Sequence, residues 1–179
     1  MIKKILFLIG IFFSTSVFAS NIAIVNVEKI VQNSTAFKEL NEELEKEKNS
    51  FQIKIKQKEI ELSHKKEQID SKSSLLSQET LQKQILDFQN EVLKFQEEIK
   101  NKEIELQGKL TGGLSKLTEE ISNTVNILLK EDKFKNYSTV INSAALLKYN
   151  EEDDISIEIL KRLNKKNISL VEKNKNKKK

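Results

Sequence analysis

The residue types that most often carry catalysis or metal binding are sparse and scattered in this sequence. The one histidine, His64, stands between Ser63 and Lys65, and the chain contains no cysteine. A lone histidine has no second histidine or cysteine with which to complete a metal site of the usual kind. His64 is therefore predicted to be a surface residue, and the sequence predicts no metal ion.

Neither the glycines nor the paired carboxylates form a catalytic motif. Gly108, Gly112 and Gly113 lack the spacing and the Lys-Ser/Thr ending of a phosphate-binding loop. Glu97-Glu98 and Glu119-Glu120 are interspersed with lysines at helical spacing, which is typical of a solvated helix face. We therefore predict that the protein is not an enzyme and uses no cofactor.

Apolar residues outside the expected contact stripe of a long helical segment are more informative. Taking Ile85 and Val92 as heptad position a, Leu86 and Leu93 fall at position b and Ile104 at position f. These three side chains cannot all face a partner helix that contacts positions a and d.

The preceding segment has the same feature. Ile53 and Ile60 stand two residues before Ile55 and Leu62, which rotates them about 200° around a helix. One interpretation is a broadened stripe or a misassigned register. The other is a dispersed apolar lining that touches other polypeptides through many weak contacts, each worth about 1 kcal/mol or less. The candidate contact residues are Ile53, Ile60, Leu86, Leu93 and Ile104.

A slight surplus of lysine near the predicted hairpin turn defines a second candidate surface. Lysines and acidic residues are mixed there, so a solubilising surface is favoured over contact with anionic lipid or acidic segments. The candidate cationic tip consists of Lys65, Lys66, Lys72 and Lys83.

The N-terminus has the pattern of a secretory signal. Lys3 and Lys4 precede an apolar run from Ile5 to Phe13, and small residues before Ser20 predict cleavage after Ala19. The run is shorter than the roughly 18 residues of a membrane span. Residues 1–19 are therefore predicted to be a signal peptide that exports the protein, which leaves nucleic acid out as a partner. Without cysteine, no disulfide can stabilise the exported fold.

Composition and periodicity predict a hairpin of two long helices. The chain has no proline and only four glycines, the two residue types that break helices. Apolar residues recur every seven residues after Phe51, and at spacings of 4, 3, 4, 3 and 4 from Leu81 to Ile99. The turn is predicted at Asp70 to Ser74. At Gly112-Gly113 the pattern fails, which indicates a kink, a packing change, or simply two tolerated glycines.

Short β-rich segments flank the hairpin. Ile22 to Val27 predicts one strand, and Tyr137 to Asn142 with Leu146 to Tyr149 predicts two strands joined around Ser143-Ala144. A short amphipathic helix that begins near Ile155 comes next. From 161 to 179 the chain holds nine Lys or Arg against one Glu. A disordered solubilising tail is favoured there over peripheral contact with an anionic membrane.

These segments, in this order, resemble the Skp (OmpH) family of periplasmic chaperones. The resemblance is carried by Ile22 to Val27, by Ile30-Val31-Gln32, and by the run from Val140 through Leu147–Asn150 to Asp154–Lys161. It implies a homotrimer whose helical arms enclose a cavity above a shared β-rich body. It also implies an ATP-independent holdase in the periplasm that binds unfolded outer-membrane proteins after export. The tail beyond Lys165 extends past the usual end of the family.

The predicted fold class is α+β, with a small β-rich trimerisation body and a long antiparallel helical hairpin. The expected chaperone domain spans 20–164, with its body at 20–33 and 134–164 and its helical arm at 34–133. A basic disordered tail at 165–179 completes the chain. The alternative function is a structural coiled-coil tether or adaptor of the cell envelope that binds one folded partner.

Overall fold

Two long helices dominate the computed structural model, which describes residues 21–170. Helix α2 spans Thr35–Lys72 and helix α3 spans Gln78–Leu128, with 38 and 51 residues. Ahead of them come strand β1 (Asn21–Val25) and helix α1 (Val27–Asn33); strand β2 (Tyr137–Asn142) and helix α4 (Ser156–Lys165) come after them. The predicted signal peptide lies outside the described residues.

The sheet consists of β1 and β2, which pair in parallel with Ala23 opposite Val140 and Val25 opposite Asn142. The chain thus leaves the sheet through the helical hairpin and returns to it in the same direction. The predicted strand at Tyr137–Asn142 is confirmed. The first strand ends earlier than predicted, because Asn26 caps α1 by accepting a hydrogen bond from the Lys29 N–H at 2.8 Å.

The predicted third strand at Leu146 to Tyr149 is wrong. Ser143–Ala145 form a short 3₁₀ turn, started by the Asn142 side chain, which accepts a hydrogen bond from the Ala144 N–H at 3.2 Å. Within residues 21–170, Leu146 to Tyr149 pair with no strand, and the next bridge to the sheet is an isolated parallel one between Asp154 and Ile24. Strand propensity reflects packing on a half-covered pleated surface, and the Leu147 side chain, fully exposed, has no such cover here.

Serine caps set the limits of the hairpin. Ser34 ends α1 and starts α2, and its buried hydroxyl accepts a hydrogen bond from the Phe37 N–H. Ser77 caps α3 in the same way through the Thr80 N–H. Asp70 is still helical, so the turn comes a few residues later than predicted, between Lys72 and Gln78.

Helix α3 runs without interruption through all three of its glycines, so the pattern failure at Gly112-Gly113 is a change of packing and not a break in the helix. The buried side of α3 begins at Gly113 and continues through Leu117, Ile121 and Leu128. Gly113 lies against Leu40 of α2, which is 1% exposed. The glycine therefore lets the two helices approach closely where the arm meets the base.

The hydrophobic core lies at the base of the hairpin. Residues of β1, α1, the start of α2 and the end of α3 pack there with Ile159 and Leu163 of α4, both almost fully buried. Glu131, which follows the end of α3, holds α4 by accepting two hydrogen bonds from the Arg162 guanidinium, at 2.5 and 2.7 Å. These contacts make the base the compact part of the molecule.

The segment after α4 also packs on the base. Leu170 is 7% exposed and Ile168 packs against the core. Residues 165–170, which the sequence places in a disordered tail, therefore lie on the folded structure up to the last described residue. Their two apolar side chains explain the difference, because the composition around them is dominated by lysine and asparagine. Residues 171–179 lie outside the described residues.

Candidate functional site

Helices α2 and α3 are the two limbs of the arm, and the contact between them is only partly apolar. From residue 41 to residue 112, along the arm beyond the contact of Leu40 with Gly113, Leu62 and Ile69 are the buried side chains. Three residues after each of them, on the same side of α2, stand Lys65 and Lys72. The outer arm is thus less tightly packed than the regular apolar spacing of α3 predicts.

Where the first limb presents lysines, the second limb supplies a carboxylate. Glu91 of α3 accepts a hydrogen bond from Lys58 Nζ at 2.6 Å and pairs with Lys65 Nζ as well. The two lysines are seven residues apart and so lie on one face of α2. Hydrogen bonds from Lys58 and then Lys65 lower the pKa of Glu91 to about 2. We call these three residues the outer clasp.

The inner clasp repeats this arrangement with the limbs exchanged. Glu47 of α2 lies 2.8 Å from Lys102 Nζ and 2.6 Å from Lys109 Nζ, two lysines seven residues apart on α3. Hydrogen bonds from Lys102 and Lys109 lower the pKa of Glu47. Ion pairs thus connect the two limbs at two places along the arm.

Sequence reasoning missed both clasps. The register places Lys102 and Lys109 at consecutive d positions, where they look like a failure of the seam. The usable signal is that two like charges at adjacent core positions need an opposite charge on the facing helix. Identifying Glu47 as that charge requires the pairing of the two limbs, which only the folded hairpin supplies.

The five candidate contact residues are all exposed. Their exposed fractions are 58% for Ile53, 59% for Ile60, 58% for Leu86, 62% for Leu93 and 60% for Ile104. None of them packs between the limbs, so the interpretation as a broadened contact stripe does not describe this structure. Their contact with another polypeptide stays a prediction.

Helical geometry arranges these residues in two lines. Ile53 and Ile60 form the α2 line, about 180° around α2 from the residues that face α3. Leu86, Leu93 and Ile104 form the α3 line, because 18 residues make about five full turns and bring Ile104 back to the angle of Leu86. The α3 line is turned about 130° from the contact with α2. Both lines therefore face away from the partner limb.

The candidate cationic tip does not act as one set. Lys65 is part of the outer clasp, so its charge is already paired. Lys66, Lys72 and Lys83 are exposed, near the end of α2 and the start of α3. Their binding to lipid or acidic segments remains a prediction. His64 is exposed beside Glu67, as expected for a surface residue.

Residues 21–170 contain neither a metal-binding cluster nor a membrane-spanning helix. In that range no group of His, Cys, Asp and Glu side chains is arranged to hold a metal ion. None of the helices there combines the length and the apolar character needed to cross a membrane.

The fold and the arm define a class of protein: a helical hairpin carried on a small α/β base. The family model of the OmpH-like outer membrane proteins matches residues 21–163. The chain therefore belongs to the OmpH-like family, and the resemblance noted in the sequence is confirmed.

A solved structure shares this fold. The crystal structure of an OmpH-like outer membrane chaperone from Caulobacter crescentus superimposes with a TM-score of 0.73 at 16% sequence identity. The match covers 80% of this chain and 83% of that one. The predicted α+β fold with a long helical hairpin is thereby confirmed. No curated protein sequence matches the chain.

Proposed function

We propose that this protein is an ATP-independent holdase chaperone that binds unfolded outer-membrane proteins in the periplasm after their export. The observation that carries the proposal is the pair of exposed apolar lines on the arm, the α2 line and the α3 line. Family membership and a similar fold in a protein named as an outer membrane chaperone support it.

The mechanism is enclosure combined with many weak contacts. Each exposed isoleucine or leucine gains about 1 kcal/mol or less when a client covers part of it, so no single contact traps the client. Polar and charged residues separate the apolar side chains along both lines, which keeps the arm soluble between clients. Several such contacts from several arms add up through effective concentration.

The proposed assembly is a homotrimer built on the base. Leu147 at the base is fully exposed and Ile157 is 67% exposed, so contact with further copies would cover apolar surface there. The described part of the sheet consists of β1 and β2, so strands of further copies could extend it in a trimer. Three arms around one client would supply the enclosure that a single hairpin lacks.

The decisive experiment removes four of the five apolar side chains of the two lines without touching the limb contact. We expect that changing Ile53, Ile60, Leu86 and Leu93 together to Ser weakens retention of a denatured β-barrel protein at least about tenfold, the equivalent of about 1.4 kcal/mol. Aggregation of several unrelated β-barrel proteins after dilution from urea provides the measurement. Helicity and mass in solution should stay those of the natural protein.

A matched control changes Gln52, Gln57, Gln89 and Gln96 to Ser. These residues are exposed on the same limbs, so the control alters helix propensity and side-chain size without removing apolar surface. We expect it to retain clients normally. Equal retention by both variants would contradict the holdase proposal. Recovery of one folded partner, with no effect on aggregation, would favour a tether instead.

A further inference from the structure

An open groove lies between α2 and α3 where the arm joins the base, with a volume of about 1080 Å³. Gly108 and Gly112 form part of its floor, and a Cβ added at either position would meet nothing within 4 Å. Glu39 and Glu43 stand one turn apart on its α2 wall. We call this the root groove. It has room for a stretch of extended polypeptide.

The chain itself already enters the root groove. The Thr35 N–H donates to Asn164 Oδ1 at 2.9 Å, which fixes the end of α4 at the start of α2. A few residues after Asn164, the carbonyl of Ser169 accepts a hydrogen bond from Lys116 Nζ at 2.7 Å. Leu170 then lies beside Gly113, 3.6 Å from the position of an added Cβ.

These contacts give the segment a direction. Lys166 contacts Glu120, Ser169 contacts Lys116 and Leu170 contacts Gly113, so the segment moves along α3 away from the base and toward the arm. A chain that continued in that direction would next pass over Gly112 and Gly108. These positions lie within about 8 Å of Gly113 along the helix axis, whereas nine extended residues reach roughly 30 Å.

Four glutamates and three lysines line the groove, so its slight negative charge is opposite to that of the residues after Leu170. Lys109 pairs with Glu47 at 2.6 Å and with Glu105 at 2.9 Å, so this wall lysine is already neutralised. Glu39 and Glu43 form no ion pair within residues 21–170. Residues 171–179 carry five lysines and one glutamate.

We propose that residues 171–179 dock in the root groove of their own chain, with lysines against Glu39 and Glu43 and the backbone over Gly108 and Gly112. Docked there, the tail joins the two limbs at the root of the arm, next to the inner clasp. Its charges are then neutralised by the arm and are not free for lipid headgroups. This inference does not depend on the chaperone proposal, since it concerns one chain alone.

Disulfide trapping tests the docking in a chain that has no cysteine of its own. We expect the variant with Gly108→Cys and Asn174→Cys to form an intrachain disulfide at least about tenfold faster than the variant with Gln107→Cys and Asn174→Cys. Gln107 neighbours Gly108 in the chain but does not line the groove. A free tail reaches both positions, so equal rates would overturn the proposal. Disulfide-linked dimers in place of the intrachain product would overturn it too.

Charge reversal supplies a second, independent readout. In the Gly108→Cys, Asn174→Cys protein, we expect Glu39→Lys with Glu43→Lys to lower the trapping rate about tenfold. The matched control, Glu42→Lys with Glu45→Lys, changes two exposed carboxylates of α2 that do not line the groove. We expect it to leave the rate unchanged. An equal loss in both would show general attraction and contradict docking, as would tail-dependent sedimentation with anionic liposomes at physiological salt.

Discussion

At the scale of single residues, Gly113 is the position where the absence of a side chain matters most. A Cβ there would overlap Leu40 Cδ2, and Leu40 is buried at 1% exposure, so its side chain has little room to move away. Gly108 and Gly112 face open space instead. The three glycines therefore have different roles, although all of them sit in one helix.

We expect Gly113→Ala to lower the free energy of unfolding by about 1 kcal/mol, because an overpacking cost of about 1–3 kcal/mol exceeds a gain in helix propensity of about 1 kcal/mol. Gly108→Ala and Gly112→Ala should each raise it by up to about 1 kcal/mol. Urea unfolding at equal protein concentration measures all three. Stabilisation by Gly113→Ala would contradict the close approach of Leu40.

Within the arm, the clasps compensate for a seam that is only partly apolar. Exposed ion pairs contribute little individually, but each clasp joins one carboxylate to two lysines across the limbs. The two clasps therefore tie the limbs together at two separate heights of the arm.

The outer clasp predicts a pH dependence. The pKa of Glu91 is lowered from its ordinary value of 4.5 to about 2, chiefly by the hydrogen bond from Lys58. A lowered folded-state pKa means that the clasp contributes its full stabilisation above about pH 4.5 and loses it as the pH falls toward 2. The stability difference between the natural protein and Glu91→Gln should therefore be present at pH 6 and vanish near pH 2.

Urea unfolding across this pH range provides the measurement. Glu97→Gln is the control, because Glu97 is exposed on the same helix and forms no ion pair with another described residue. Its stability difference should stay small at every pH. A Glu91→Gln difference that persists unchanged to pH 2 would be incompatible with the clasp.

Across the whole molecule, stability is concentrated at one end. Leu117, Ile121 and Leu128 are at most 3% exposed in the lower part of α3, whereas the apolar seam residues Leu81 to Ile99 of the same helix are only partly buried or exposed. One continuous helix thus runs from a packed core into a loosely covered arm. The arm can bend or separate locally while the base stays folded.

Hydrogen exchange should reveal this gradient within α3. We expect amides of residues 117–128 to be protected at least about tenfold more than those of residues 81–99, after correction for intrinsic rates, because local opening of the arm disturbs few buried contacts. Mass spectrometry of the intact protein measures both segments in one experiment. Equal protection along the helix would mean that arm and base unfold as one unit.

The sequence by itself determined the elements whose signals are local. Heptad spacing and the absence of proline predicted both long helices. Ile53, Ile60, Leu86, Leu93 and Ile104 could be singled out because helical geometry alone turns them away from the seam. The order of the segments was enough to indicate the family.

Only the tertiary structure decided the features that depend on a partner distant in the chain. Leu146 to Tyr149 has strand composition but finds no neighbouring strand among the described residues. The buried Leu170 and the partly buried Ile168 hold residues 165–170 on the base. Lys102 and Lys109 looked like errors in a seam until Glu47 was placed across from them. Periodicity shows which face of a helix is covered, whereas pairing, register and close approach arise from the facing element.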